Sequence, residues 1–330
     1  MSKLGDIFLL SQQVSVAAGE ECTRLGNPQI DVDHLLLALL VTDGVAGRRL
    51  RDLGITLDPA RAAVATVHSD RAARLGVQVP AAPPGLIDPA AVEQVDWSPR
   101  ALKLMRSLPS YSNDLPLLQA LLDEPSRLPL QILHTLGVAE ATARAAAGMA
   151  CSPAVSAAQP TAPETLTEKE KTGWRTVTHT GFAPVPPEQV WALITDPTRR
   201  VEWDYLTVAA TQPDSTHPSV VELTARTTTS TGRPSRTRTD PTRMRQTIIK
   251  QEPRDIEWET TWPDATHSPV LRLAIHLEPT AGGTRLELRS RWRRRPGTGG
   301  LLRLPLLPLV KFGMRQQLIN RAAGISRAVR

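Results

Sequence analysis

Seven histidines and two cysteines have the widest chemical range in this sequence of 330 residues, and their spacing narrows what they can do. His34, His68, His134, His179, His217, His267 and His276 form no His-x-x-x-His pair and show no acid at metal-ligand spacing, so no metal site is expected. Cys22 falls in a helical pattern and Cys151 in a polar tract, which frames neither a disulfide nor a zinc site and suits a reducing, cytoplasmic setting. No Gly-x-Ser-x-Gly elbow occurs. A Walker A loop needs Gly-Lys-Ser/Thr, so that backbone amides cradle the phosphates while the lysine reaches the outer ones. The sequence holds no Gly-Lys dipeptide, which excludes a P-loop ATPase. No cofactor is expected.

Charge is divided unevenly. The net +6 splits into 13 Lys+Arg and 16 Asp+Glu in residues 1–150, net −3, against 26 and 17 in residues 151–330, net +9. Six of the seven tryptophans also lie in the second half. Such a contrast, at a length of 330, predicts two domains. The basic stretch from Arg226 to Arg245 lacks interleaved aromatics for base stacking, so nucleic acid is not the expected partner. Arg291-Trp292-Arg293-Arg294-Arg295, next to Leu301-Leu302-Arg303-Leu304, reads either as the wet face and end of a strand or as a contact for phosphate or an anionic membrane. No signal peptide is expected at Met1 to Glu21, and Leu301 to Gly313 is too short and too charged to span a bilayer, so no transmembrane segment is expected.

Residues 1–147 carry helical periodicity. One helix ends at Gly26-Asn27-Pro28; Asp31 or Asp33 caps a second with the run His34 to Leu40; a third spans Val45 to Leu53; Asp58-Pro59 opens a fourth. The unit recurs. Leu35 to Leu40 matches Leu117 to Leu122, and Leu50 to Ile55 matches Leu133 to Val138, with Ser98 capping the first helix of the second copy. Val79 to Gly85 reads as the linker between copies. The pattern Asn27-x-x-Ile30-x-x-Asp33-His34-Leu35-Leu36-Leu37-x-Leu39, then Gly44-Val45-Ala46 and Leu50-x-x-Leu53-Gly54-Ile55, resembles the N-terminal repeat domain of Clp-type AAA+ unfoldases over about residues 3–147. That resemblance implies an all-α, duplicated four-helix domain with a surface for a protein or peptide partner. It gives Asp33 the place of an acid that receives an arginine side chain, phosphorylated arginine included. A carboxylate accepts two parallel donors from a guanidinium. The alternative for Asp33 is a helix cap.

Residues 148–172 read as a flexible linker, and from 173 the pattern changes to strands. Trp174 to Phe182 is extended; Pro186 to Ile194 is a short helix; strands are expected at Ser219 to Thr231, Arg243 to Glu252, Asp255 to Trp262, Val270 to Glu278 and Thr284 to Arg293. Alternation puts Ile256, Trp258, Thr260 and Trp262 on one face with Leu271, Leu273, Ile275 and Leu277, and charged residues on the other. A C-terminal helix with a stripe of Leu309, Phe312, Ile319 and Ala323 is expected to cover the apolar face. This order, with Val190 to Pro197 followed by Val201-Glu202-Trp203-Asp204, resembles the START-like helix-grip fold, an α+β fold with an antiparallel sheet. The opening motif is similar to that of its polyketide cyclase/dehydrase and lipid-transport (SRPBCC) branch, over about residues 173–330.

The resemblance implies a cavity between sheet and final helix, lined by Trp203, Tyr205, Trp258, Trp262, Leu273, Ile275 and Leu288. Such a cavity suits an apolar small molecule or lipid-like ligand. The same residues also serve as an ordinary core. Catalysis would need a positioned acid and base; His179 and His276 are the candidates, with His276 expected to point outward. The reading is therefore a non-enzymatic protein of two modules, a Clp-N-like interaction domain joined to a ligand-binding helix-grip domain. A cyclase/aromatase-like enzyme and a lipid-carrying or membrane-surface protein are the alternatives.

Overall fold

The computed structural model describes residues 3–78, 85, 87, 89–92, 94–108, 113–148, 174–211, 219–227, 243–265, 268–293 and 307–330. The linkers expected at 79–85 and 148–172, residue Cys151, most of the basic stretch between Arg226 and Arg245, and the residues from Arg294 to Leu304 lie wholly or largely outside it. The chain divides into two compact units, Met1–Ala150 and Cys151–Arg330.

The first unit is helical. Its elements are α1 (Lys3–Arg24), α2 (Val32–Val41), α3 (Val45–Asp52), α4 (Leu57–Arg74), α5 (Pro89–Val92), α6 (Pro99–Ser107), α7 (Leu115–Leu122), α8 (Leu128–Thr135) and α9 (Glu140–Gly148). Two-residue strands β1 (Gln29–Ile30) and β2 (Asp96–Trp97) pair in parallel. Every residue of α2 is buried, which explains its apolar run: it is the central element and has no wet face. The repetition seen in the sequence extends to the helix ends. Gly54 and Gly137 follow α3 and α8 with φ of 82° and 79°, a left-handed conformation that glycine adopts without steric penalty. In each case the next residue's N–H returns to the helix, Ile55 to the Leu50 carbonyl and Val138 to the Leu133 carbonyl.

The caps refine the sequence reading. Asp31, not Asp33, is the N-cap of α2: its carboxylate accepts the Val32 N–H at 2.9 Å, and the His34 ring closes a capping box from inside the helix. The fourth helix begins at Leu57 after Thr56, two residues ahead of Pro59, so Asp58 lies in the first turn rather than at the cap. Ser98 caps α6 as expected, accepting the Ala101 N–H at 3.2 Å.

In the second unit, the described residues form seven antiparallel strands in the order β3-β9-β8-β7-β6-β5-β4. They are β3 (Arg175–Ala183), β4 (Thr207–Ala210), β5 (Val220–Ala225), β6 (Arg243–Glu252), β7 (Asp255–Thr261), β8 (Val270–Thr280) and β9 (Gly283–Arg293). Helices α10 (Pro187–Thr195) and α11 (Arg200–Trp203) separate β3 from β4, and α12 (Leu307–Ala328) follows β9. This curled sheet gripping a long C-terminal helix is a helix-grip fold. The short edge strand β4 has no counterpart in the sequence reading; four residues carry too little alternation to announce themselves. A register shift between Ile248 and Lys250 breaks the β6–β7 ladder, and bulges of this kind bend a strand and tighten its twist.

The alternation predicted for β7 and β8 holds, and β9 follows the same pattern. Ile256, Trp258, Leu273, Ile275, Leu277, Leu286 and Leu288 share one core with α10, α11 and α12. On the opposite face, charged side chains pair across strands: Arg291 Nη2 donates to Glu257 Oε1 at 2.5 Å, and Arg272 Nε to Glu259 Oε2 at 2.9 Å. The Arg272 and Arg293 guanidiniums lie 4.7 and 5.1 Å from the Trp174 ring centre. Arg291 and Arg293 are thus engaged within the unit. The covering helix differs in phase from the expected stripe. Leu318, Ile319, Ala322, Ile325 and Ser326 are its buried side, whereas Leu309 is 68 % exposed. The seat is set by small residues: a side chain at Gly324 would strike the backbone of Trp203, and Ala322 lies directly over Gly181 of β3.

Candidate functional site

The inner face of the sheet holds a hollow of about 180 Å³ between α10 and strands β5, β6 and β7. Ile194, Val221, Leu223, Ile248 and Trp258 give it apolar walls, and Thr195, Arg200, Gln246 and Gln251 its polar ones. The local sequence explains each position. Thr195 ends α10 and returns its hydroxyl to the Trp191 carbonyl at 2.7 Å. Asp196 then accepts the Thr198 N–H at 2.9 Å, turning the chain through Pro197–Arg199 and delivering Arg200 to the inner side. Gln246 occupies an inward register position between Met244 and Ile248 on β6, and its amide donates to Thr260 Oγ1 at 3.1 Å.

Arg200 belongs to a buried charge cluster. Arg200 and Asp204 are 3 % and 2 % exposed and sit one turn apart. Arg200 Nε donates to Asp204 Oδ2 at 3.2 Å, and Arg321 Nε, from α12, donates to Asp204 Oδ1 at 3.2 Å. The Arg200 guanidinium also lies over two indole rings, 4.0 Å from the centre of Trp203 and 4.8 Å from that of Trp258. Those rings are 6.2 Å apart and inclined at 45°. Burial pushes Arg200 down to about 10, which leaves it charged at neutral pH. Burial would by itself raise Asp204, yet the Arg321 and Arg200 charges outweigh it and hold the carboxylate below its ordinary value.

The residues named from sequence fall into three groups. Trp203 and Trp258 come together around Arg200, with Trp258 lining the hollow. Leu273, Ile275 and Leu288 are packed in the core beneath the helices and line no part of it. Tyr205 and Trp262 stand apart: Tyr205 follows α11 and is 37 % exposed, and Trp262 lies just beyond β7, against the small cluster Val221, Leu223 and Met244. The hollow is displaced toward β5 and β6 because α12 fills the space over β3 and β9. Arg200, Gln246 and Arg321 were not singled out from sequence. The available signals were an Arg four residues before an Asp in a Trp-ended helix, and a glutamine in an apolar register.

The two histidines do not oppose one another. His179 faces the helix side of β3, where burial and the Arg315 charge push its imidazole down to about 3, making it a poor proton acceptor at neutral pH. His276 is exposed, as expected, in the row Thr180, Glu287, His276 and Asp255 across the outer face. The same row, together with His179, Leu288 and Arg315 from the helix side, lines a groove of about 400 Å³, so both histidines border one groove from alternate faces of the sheet.

Residues 175–323 match the family described as polyketide cyclase / dehydrase and lipid transport. The matched residues make up most of the C-terminal unit. The match covers less than half of the chain. Solved structures similar to parts of the chain include a START superfamily protein from Mycobacterium smegmatis, 13 % identical over 46 % of this chain and 94 % of that one, TM-score 0.35. The Zhui aromatase/cyclase from Streptomyces sp. R1128 is 14 % identical over 46 % and 92 %, TM-score 0.35. The di-domain ARO/CYC StfQ from the steffimycin biosynthetic pathway is 12 % identical over 62 % and 57 %, TM-score 0.36. No curated protein matches the chain significantly.

In the first unit, Asp33 is buried at the start of α2, 1 % exposed. Its Oδ1 accepts the His34 N–H at 2.9 Å, and its Oδ2 lies 2.6 Å from His68 Nε2 on α4. Burial opposes its ionisation, but His68 and His34 reverse the balance and keep its pKa below the ordinary value. His34 is structural: its Nδ1 accepts the Asp31 N–H at 2.9 Å, its Nε2 lies 2.8 Å from the Asn27 amide, and burial lowers its pKa. Both Asp33 oxygens are therefore engaged, Oδ2 by His68, whose own side chain is half-exposed. Nothing in the sequence pattern pairs His68 with Asp33, because the partners are 35 residues apart. Among the described residues there is no cluster of three or more His, Cys, Asp or Glu that could hold a metal, and no helix long and apolar enough to cross a membrane.

Proposed function

We propose that the START-like domain binds an apolar small molecule through its inner face, and that the helical unit is a Clp-N-like module that docks a protein or peptide. The observation that supports the first part is the hollow beside Trp258, with five apolar walls and a few convergent polar groups. Binding rather than catalysis is the better reading of that hollow, since its described lining contains no carboxylate or imidazole to serve as acid or base. Mass spectrometry of the intact protein, purified under native conditions, is expected to show an added small-molecule mass that denaturation removes. Repeated failure to find or add any apolar ligand would sink the reading.

The docking role rests on the resemblance of the first repeat to Clp N-terminal domains and on the acid at position 33. For an arginine side chain to reach Asp33, His68 must swing out. His68→Ala is therefore expected to tighten binding of arginine-bearing peptides in fluorescence anisotropy, and Asp33→Asn to abolish it. Equal binding by wild type and both variants would return Asp33 to a purely structural place.

A further inference from the structure

The cluster behind the hollow carries one more positive than negative charge. Asp204 is shared by Arg200 and Arg321, and no other acid acts on Arg200. Arg200 cannot turn to water: it is 3 % exposed and held between two indole rings. Its Nη2 lies 3.1 Å from Asp204 Oδ2 without the geometry of a hydrogen bond and has no hydrogen-bond partner. A buried, charged donor left unsatisfied is costly, and such groups are rare in native structures. Arg200 is among the residues that line the hollow.

We propose that the hollow takes a small apolar molecule carrying a carboxylate, and that Arg200 is its anchor. The inference rests on the ligand-binding reading above and adds the chemical class. A carboxylate at Arg200 would neutralise the surplus charge and form the charge-assisted pairing that a guanidinium favours. Walls of Val221, Leu223, Ile248 and Trp258 would take the apolar part, and the Gln246 and Gln251 amides stand near enough to the hollow to orient it. The volume, about that of six waters, restricts the ligand to roughly a single ring with a short arm.

The test compares two probes of one shape, 3-phenylpropionate and 3-phenylpropanol, by isothermal titration calorimetry at pH 7 on the full chain. Wild type is expected to bind the acid about tenfold or more tightly than the alcohol. Arg200→Met, with an unchanged circular dichroism spectrum, is expected to bind both alike, because the Asp204–Arg321 pair survives and the surplus charge is gone. If that variant does not fold, Arg200→Lys keeps the charge and loses the planar fork, and its preference for the acid is expected to fall several-fold. Equal affinity of the two probes for wild type, or an acid preference that persists in folded Arg200→Met, overturns the carboxylate assignment while leaving the apolar cavity in place. Binding of neither probe overturns both.

Discussion

Asp204→Ala is expected to destabilise the C-terminal unit by about 3–5 kcal/mol, the cost of removing one member of a buried ion pair. Each arginine of the cluster has one acid, whereas the acid has two arginines, so the three side chains are not equivalent. Without Asp204, Arg200 stays charged among indole rings with no counter-ion, and Arg321 loses its tie between α12 and α11. Urea denaturation followed by circular dichroism measures the loss. A change below about 1 kcal/mol would show that the cluster is solvated and contributes little. The pH dependence gives a second check. Because the folded carboxylate is held below its ordinary value, its contribution is fully present above the unfolded pKa of about 4 and fades as pH falls through the folded value. The difference between wild type and Asp204→Asn is therefore expected to be largest near neutrality and to shrink in acid.

Gly324→Ala carries the second large effect, and its sign is the instructive part. In an exposed helix interior, replacing glycine by alanine gains about 1 kcal/mol. At position 324 the new Cβ would lie 2.2 Å from the Trp203 carbonyl oxygen and 3.0 Å from its carbon, both backbone atoms that cannot rotate away. The helix must lift from α11, and overpacking of this kind costs about 1–3 kcal/mol. Gly313→Ala, in the same helix with nothing within 4 Å, is the control and is expected to stabilise. Thermal melts of the two variants should move in opposite directions; movement in the same direction would mean that α12 is not seated on α11.

What could be read from sequence follows from how the signal is carried. Strands β7 to β9 alternate over seven or more residues, so their inward faces were legible one residue at a time, from Ile256 to Leu288. The C-terminal helix was legible as a helix but not in phase, because Leu309 and Phe312 precede its buried segment and the glycine contact fixes the rotation. The cavity residues were only partly legible. A tryptophan in an amphipathic pattern says that it is buried, not what it is buried against; Trp258 meets the hollow and Trp262 does not. Nothing in the sequence announces Arg200 and Arg321 as partners of one acid: Asp204, between them in the chain, accepts from both, and its contact with Arg321 spans 117 positions. Long-range electrostatic pairing leaves no period in a sequence.

Helix α12 also constrains how the domain reaches its native state. Every strand whose apolar face it covers is synthesised before it, and the Arg321–Asp204 contact joins positions 117 residues apart. During synthesis the inner face of β3 and its side of β9 lack this cover until residues 307–328 emerge. That edge of the sheet, with Val177, Leu286 and Leu288, is then exposed apolar surface, the kind of intermediate that associates with itself or is held by chaperones. Contacts of such sequence separation also slow folding, since the loop must close before they form. Docking of α12 is thus the event that ends the exposure of this sheet.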